Sequence, residues 1–266
     1  MDSTSLYDAY NQYFKVIRAD TPELLDEVFR LRYQVYCIEH HFESADDFPD
    51  EKERDDYDKH SVHSLLVHKP SGAIAGSVRL VLPLRNNPDN CLPIDHVCAE
   101  AALHDSSLFP REHTGEVSRF AIAKTFRRRI GEKGSPCGVT DESLRAMEIA
   151  EALDNDRRVA HHLTLGLISS LVQMSAEHGI SVWCSVMERA LLRLLKRIGI
   201  HFTDLGPQIE YHGKRQPCYS FLDELLDRVM EERPDVWEVL TEKGSFGPHH
   251  NRARSPVQSG SFNKAL

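Results

Sequence analysis

The pattern of apolar and polar positions is most unusual at residues 115–123, which read Gly-Glu-Val-Ser-Arg-Phe-Ala-Ile-Ala. Bulky residues of high β-propensity predict a strand there, namely Val117, Phe120 and Ile122. Ionisable and hydroxyl side chains interrupt this strand, and a buried strand does not carry such groups without a partner or a use. The stretch is therefore a candidate catalytic site.

The side chains of this strand are expected to alternate between the two faces of the sheet. Successive strand residues point to opposite sides of a sheet. Glu116, Ser118 and Phe120 are thus predicted to share one face, and Val117 and Arg119 are predicted to share the other.

The rest of the pattern alternates between strands and helices. Apolar residues spaced three and four apart predict helices, and short β-branched runs between turn residues predict strands. In chain order we predict a strand at 14–19, a helix at 22–37, a strand pair at 61–68 and 73–82, the strand at 115–123, a helix at 162–178, a strand at 180–186, a helix at 188–198, strands at 200–205, 208–212 and 217–221, and helices at 222–232 and 235–240. This order indicates one mixed α/β domain.

The domain boundaries follow from composition. Residues 1–13 are predicted to be a leader, residues 14–240 the folded domain, and residues 241–266, rich in Gly, Ser, Pro and Asn, a disordered tail. Within the domain, residues 131–156 combine glycines with many charges and are predicted to be an insertion.

Composition narrows the functional classes. The 266 residues carry a net charge of -9, with a pI near 5.9. A phosphate-binding surface normally leaves a basic balance, so nucleic acid is not expected as a partner. No stretch approaches the roughly 18 apolar residues of a membrane helix, so no integral membrane segment is expected. Six scattered cysteines without a signal peptide predict a reduced, cytoplasmic protein.

Two arginines and two aspartates form a second candidate group. Arg32 is predicted one helical turn from Tyr36, and Arg79 lies inside the second hairpin strand. A buried Arg needs a counter-charge, and Asp55 and Asp58 on the acidic loop can supply it. Two roles stay open, an ion-pair cluster that folds the loop over the helix or a site for the amino and carboxylate groups of an acceptor.

A basic run directly follows the strand at 115–123. It consists of Lys124, Arg127, Arg128, Arg129 and Lys133. On an otherwise acidic protein, this run is predicted to attract an anionic substrate or an acidic partner. The alternative is an ordinary solvated basic loop.

These groups, in this order, resemble the GNAT-like (acyl-CoA N-acyltransferase) fold, an α/β fold whose mixed central β-sheet is flanked by helices. The chain is similar to the autoinducer synthases that make acyl-homoserine lactones and to N-acyl amino acid synthases. It is most similar to the acyltransferases associated with the PEP-CTERM/exosortase system. The resemblance covers residues 14–222 and rests on Arg32 with Tyr36, Asp55-Asp56-Tyr57-Asp58, Gly76 to Leu80, and Glu116 to Phe120.

The resemblance implies an acyltransferase that takes a fatty acyl group from a thioester, usually on acyl carrier protein, and passes it to an amine such as an amino acid. It implies that Glu116 and Ser118 are catalytic. The residues implied to bind the acceptor are Arg32, Tyr36, Asp55, Asp58, Arg79, Arg119 and Phe120. No tightly bound cofactor is expected, since the phosphopantetheine thioester of the carrier, or acyl-CoA, is a substrate. No metal is expected, because the histidine pairs lack companions at ligand spacing.

The donor is inferred from a departure from the family pattern. CoA-using acetyltransferases of this fold have an Arg/Gln-x-x-Gly-x-Gly/Ala turn whose N–H groups bind pyrophosphate. Here the turn reads Arg-Arg-Ile-Gly-Glu-Lys, and Lys133 stands where the second small residue belongs. This favours acyl carrier protein over CoA, and the basic run from Lys124 to Lys133 is predicted to bind that acidic carrier. The insertion at 131–156 and the loose match of His41-Phe42 to an aromatic of autoinducer synthases argue against homoserine-lactone synthesis.

The residues of the strand also fit acyl transfer on chemical grounds. An ammonium must lose a proton before it attacks a thioester, and Glu116 can take that proton if its site raises its pKa. Strand N–H groups or Ser118 can stabilise the tetrahedral intermediate. A structural ion pair of Glu116 with Arg79 or Arg119 is the alternative. For the whole protein, the alternatives are a CoA-dependent N-acyltransferase and a non-catalytic sensor of acyl carrier protein or an acyl metabolite.

Overall fold

The computed structural model describes residues 5–84, 91–126, 135–139 and 158–246. The strands are β1 (Phe14–Arg18), β2 (Ser61–His68), β3 (Ile74–Val81), β4 (Thr114–Ile122), β5 (Val182–Met187), β6 (Thr203–Asp204), β7 (Ile209–Glu210) and β8 (Lys214–Phe221). The helices are α1 (Leu6–Tyr13), α2 (Pro22–Arg32), α3 (Arg158–His178), α4 (Arg189–Arg197), α5 (Leu222–Glu232) and α6 (Pro234–Thr241). None of these helices combines the length and apolar character that a membrane span needs.

The strands form one mixed sheet in the order β1-β2-β3-β4-β5-β8-β6, with β7 paired to β8. Its β4–β5 pair is parallel, and the other pairs are antiparallel. A parallel pair needs a crossover connection, and α3 lies in the segment between β4 and β5. The predicted α/β class with a mixed central sheet is confirmed.

The two central strands pair over a short length only. Residues Thr114 to Glu116 of β4 pair with Val182 to Cys184 of β5. Both strands continue beyond this ladder, β4 to Ile122 and β5 to Met187. The strands therefore separate after Glu116 and leave an opening in the middle of the sheet.

The core has a layer on each face of the sheet. On one face, α3 packs its buried leucines against the strands, and the buried indole of Trp183 donates to Ser175 Oγ at 2.8 Å. On the other face, the loop residues 91–113 cover Val81 and Cys184 through a smaller apolar cluster around Phe109. The opening between β4 and β5 lies between these two layers.

The structure corrects two predicted boundaries. Leu6–Tyr13, predicted as part of a leader, is helix α1, and its Tyr10 is only 5% exposed in the main core. The predicted tail begins too early, because Thr241 is buried at the end of α6 and its hydroxyl accepts from the Gly244 N–H at 2.9 Å. Residues 247–266 lie outside the described residues, as does the predicted insertion except for residues 135–139.

The first long helix also ends earlier than predicted. Regular α-helix stops at Arg32, and a π-helical segment, Tyr33–Glu39, continues it. A π-helical turn changes the direction of the side chains that follow it, which apolar spacing does not reveal. Tyr36 on this segment lines the opening between β4 and β5.

Candidate active site

A cleft opens where β4 and β5 separate. The empty space in the cleft and in front of it is about 840 Å³, part of which is open solvent. The predicted site residues that line it are Tyr36, Arg79, Glu116, Ser118, Arg119 and Phe120. Arg32, Asp55 and Asp58 lie outside its lining. The structure thus brings most of the predicted site together around one opening.

A β-bulge shapes the wall that β4 contributes. The register shifts between Ser77 and Arg79 of β3, so that Arg119 and Phe120 of β4 oppose the single residue Val78. Arg119 takes up the irregularity with a φ of 50°, a conformation that is uncommon for a residue other than glycine. The bulge therefore changes the direction in which the following side chains point.

The predicted alternation is wrong beyond Ser118. Val117 and Phe120 both enter the main core on one face of the sheet. Arg119 instead lies with Arg79 on the opposite face, where both arginines bind Asp55. Strict alternation holds only for a regular strand, and the extra residue of the bulge reverses it.

Glu116 is the buried carboxyl group of the cleft. It is 4% exposed, and burial raises its pKa to about 8. Its Oε2 accepts a hydrogen bond from the Ile94 N–H at 2.6 Å, which moderates the rise. Among the described residues, Arg79 and Arg119 pair with other carboxylates. Glu116 is therefore a lining carboxyl rather than half of an ion pair, and its pKa suits proton transfer near neutral pH.

The Ser118 hydroxyl, on the same strand as Glu116, is held by an arginine. Arg79 Nε donates to Ser118 Oγ at 3.0 Å. Because Oγ accepts this bond, its own hydrogen is free to donate into the cleft. The cationic donor also polarises the hydroxyl, which makes Ser118 a better donor to a developing negative charge.

Behind the cleft lies an arginine–carboxylate network of Arg32, Arg79, Arg119, Glu43, Glu53, Asp55 and Asp58. Arg32 is fully buried and binds Glu53 at 2.5 Å and Asp58 at 2.7 Å. Arg79 binds Asp55 at 2.6 Å and Asp58 at 2.9 Å. The acidic loop is thus fastened to both α2 and β3, which is the structural role that the sequence left open for Arg32.

Arg119 connects this network to the cleft. Its Nη2 lies 3.0 Å from Glu53, 3.2 Å from Glu43 and 3.3 Å from Asp55. Its guanidinium also covers the ring of Tyr36, 5.2 Å from the centroid. Arg119 therefore presents a fixed positive charge in the cleft wall. Its binding of an acceptor stays a prediction.

The sequence did not single out several residues of the site. Glu53 bridges Arg32 and Arg119, but it stands among many acidic residues of one loop and nothing in the sequence distinguishes it. The cleft is also lined by Glu43, His212 and Arg215, which are partly exposed, and by Pro136, Cys137, Met187 and Leu191, which are buried. We call the partly exposed, charged group the mouth of the cleft and the buried, apolar group its apolar end.

Most of the residues predicted to bind the acyl donor lie outside the described residues. Lys124 is exposed just after β4 and is not part of the cleft lining. Arg127, Arg128, Arg129 and Lys133 lie outside the described residues. Their role in binding a carrier protein stays a prediction.

The network is expected to make the protein sensitive to acid. The pKa of Glu53 is lowered from 4.5 to about 2 by Arg32 and Arg119, which outweigh its burial, and burial lowers the pKa of His63 from 6.5 to about 3. Both folded-state pKa values lie below the unfolded ones, so the unfolded chain binds more protons as the pH falls. Between about pH 6.5 and pH 4.5 the effect of His63 is offset by Glu116, whose folded-state pKa is raised to about 8, so stability should decline below about pH 4.5. Urea unfolding between pH 7 and pH 3 measures this, and a midpoint that stays constant down to pH 3 contradicts it.

Comparisons with known proteins agree with this architecture. Residues 31–134 match the family described as acetyltransferase (GNAT) domain. No curated protein matches the chain. A solved structure of TofI, in a ternary complex with an inhibitor and MTA, has 20% identity over 84% of this chain and 98% of that chain, with a TM-score of 0.52.

Two further structures are similar at lower TM-scores. The acyl-homoserine lactone synthase LasI has 21% identity over 77% of this chain and 87% of its own, with a TM-score of 0.47. FeeM, an N-acyl amino acid synthase from uncultured soil microbes, has 14% identity over 81% and 94%, with a TM-score of 0.43. The domain match and the similarity to TofI confirm the predicted GNAT-like fold, and the matched domain makes the chain an acyltransferase. The association with the PEP-CTERM/exosortase system stays a prediction.

Proposed function

We propose that this GNAT-fold acyltransferase moves a fatty acyl group from acyl carrier protein to an amine, and that the amine belongs to an amino acid. The observation that carries the proposal is the buried carboxyl of Glu116, whose pKa is about 8, in a cleft with a charged mouth and an apolar end. A base of this strength takes a proton from an ammonium group near neutral pH.

The proposed reaction uses three side chains of the protein, those of Glu116, Ser118 and Arg79. Ionised Glu116 removes a proton from the acceptor's ammonium, and the freed amine nitrogen attacks the carbonyl carbon of the thioester. The carbonyl oxygen becomes negative, and the Ser118 hydroxyl donates to it while Arg79 supports the hydroxyl from behind. When the intermediate collapses, the C–S bond breaks, the nitrogen loses its excess proton and the departing sulfur gains one. The products are the amide and the carrier's free thiol.

The apolar end of the cleft supports a fatty acyl group. Met187 and Leu191 line it, and both belong to the main core. Burying methylene groups there gains about 0.8 kcal/mol for each one removed from water. A long acyl chain is thus favoured over an acetyl group.

The charged mouth supports an amino acid acceptor. Arg119 and Arg215 supply positive charge, and Glu43 supplies negative charge, within one opening. An amino acid carries both a carboxylate and an ammonium, so it complements both signs. A simple alkyl amine complements only one.

The donor is tested by direct comparison. Purified protein receives acyl carrier protein or CoA carrying the same acyl chain, together with a mixture of amino acids. We expect free thiol to be released with the carrier protein and an N-acyl amino acid to appear in mass spectra. Turnover with acyl-CoA alone reverses the donor assignment. Tight binding of the carrier, with no product from any acceptor, favours the non-catalytic sensor.

A further inference from the structure

A short turn on the loop between β3 and β4 holds the proposed base. The turn is Pro93–His96, and the N–H of its Ile94 donates to Glu116 Oε2 at 2.6 Å. Among the described residues, no other donor is bonded to this carboxyl. The geometry of the turn therefore decides which carboxyl oxygen of Glu116 is held and which is left for the cleft.

An ion pair fixes this turn to the start of β4. The carboxylate of Asp95 accepts from both terminal nitrogens of Arg111, each at 2.9 Å, and from the Leu92 N–H at 2.7 Å. Arg111 stands just before Thr114, where β4 begins. The turn is thus connected by a bidentate bond to the strand that carries Glu116.

We propose that Asp95 and Arg111 are positioning residues, whose ion pair holds the Pro93–His96 turn so that the Ile94 N–H fixes one oxygen of Glu116 and leaves the other facing the cleft. The inference rests on the proposed role of Glu116 as the base. The turn belongs to no strand ladder, so sheet pairing does not set the direction of the Ile94 N–H. The side-chain pair supplies the restraint that the sheet does not.

The charged and titratable groups around Glu116 decide the sign of the expected effect. They are Arg79, Arg119, Asp95, Cys184 and Tyr57. The two arginines lower the pKa of Glu116, and Asp95 raises it. Removing Arg111 leaves the charge of Asp95 unopposed and loosens the Ile94 hydrogen bond. Both changes raise the pKa of Glu116 further.

Kinetics of the full chain test the proposal. In Arg111→Ala we expect kcat to fall by about 10- to 100-fold because a misplaced base loses its alignment, with little change in KM for the acceptor. The pH–rate profile should also move to higher pH. Arg111→Lys keeps the charge but not the bidentate bond, so it should recover part of the rate. If the alanine variant does not fold, Arg111→Lys tests the proposal in its place.

A second bidentate pair offers a matched control. Arg233 binds Asp235 at 2.9 Å and 2.8 Å at the start of α6, away from the cleft lining. Arg233→Ala should leave both kcat and the pH profile unchanged. A similar shift in this variant would show that the effect is not specific to the turn.

A readout without activity separates this proposal from the proposed function. Infrared difference titration, with Glu116→Gln as the subtracted reference, reports the carboxyl of Glu116 directly. If Arg111→Ala raises the pKa of Glu116 in this titration while the wild type transfers no acyl group, the positioning role stands and the proposed function fails. If Arg111→Ala and Arg111→Lys only lose stability, with titration and pH profile as in the wild type, the pair is merely structural and the proposal is overturned.

Discussion

Glu116→Gln is expected to lower turnover by about 10²- to 10⁴-fold, the range typical of a general acid–base group. Gln keeps an oxygen that accepts the Ile94 hydrogen bond, but it does not take a proton from the acceptor's ammonium. The loss should therefore fall on kcat, with a smaller effect on the binding of donor and acceptor. The measurement is steady-state thiol release with the donor that the wild type uses.

The role of Glu116 as a base also predicts how the activity of the wild type depends on pH. Glu116 must be ionised to act as a base, and its pKa is about 8. kcat/KM should therefore rise with pH and level off above about pH 8, and Glu116→Gln should lose this rise. A flat profile in the wild type, or an unchanged rate in the variant, removes Glu116 from the mechanism.

Stability distinguishes this loss from unfolding. The folded-state pKa of Glu116 is raised from 4.5, so ionisation of the unfolded chain lowers stability as the pH rises from about 4.5 to about 8. Gln has no such titration, so the variant should be at least as stable as the wild type at pH 8. Glu112→Gln, an exposed carboxyl in the turn before β4, is the matched control and should keep full activity.

Arg32→Ala is expected to cost about 3–5 kcal/mol of unfolding free energy. The guanidinium is fully buried, and its removal leaves the carboxylates of Glu53 and Asp58 with less compensation inside the protein. Urea unfolding at pH 7 measures the loss. Arg32→Lys keeps the charge but replaces the planar guanidinium with a single ammonium nitrogen. Its unfolding free energy should therefore lie between those of the wild type and the alanine variant.

An exposed pair of the same length is the control for this prediction. Lys59 and Asp56 are 2.7 Å apart, as are Arg32 and Asp58, but the side chains are 78% and 92% exposed. Lys59→Ala should therefore have no measurable effect on the unfolding midpoint, since water and salt screen such pairs. Equal losses in Arg32→Ala and Lys59→Ala would show that burial does not decide the strength of the network.

The central part of the fold was accessible from the sequence because periodicity reports burial. The hairpin of β2 and β3 and the segment from α3 to α4 were predicted within a few residues of their bounds. Glu116 was accessible for a related reason, since a carboxyl group in an apolar strand is costly without a use. Helix α1 was missed, because its polar residues hide an amphipathic face that only the main core reveals.

Other features depend on contacts between residues far apart in the chain. Sequence spacing predicts alternation along β4, but the bulge at Arg119 arises from its register with β3. Glu53 acquires its importance from Arg119, 66 positions away, and no local pattern marks it among its acidic neighbours.

The same distinction between local sequence information and long-range contacts applies to the proposed active site. That the chain folds as a mixed α/β domain with a carboxyl group on a central strand can be read from the sequence, since apolar periodicity and the cost of a buried charge are local properties. Acyl transfer was implied by the resemblance of its motifs to a known family. The raised pKa of Glu116 and the hydrogen bond from Ile94 come from tertiary packing. Backbone donors have no sequence signature, and desolvation depends on what covers a residue.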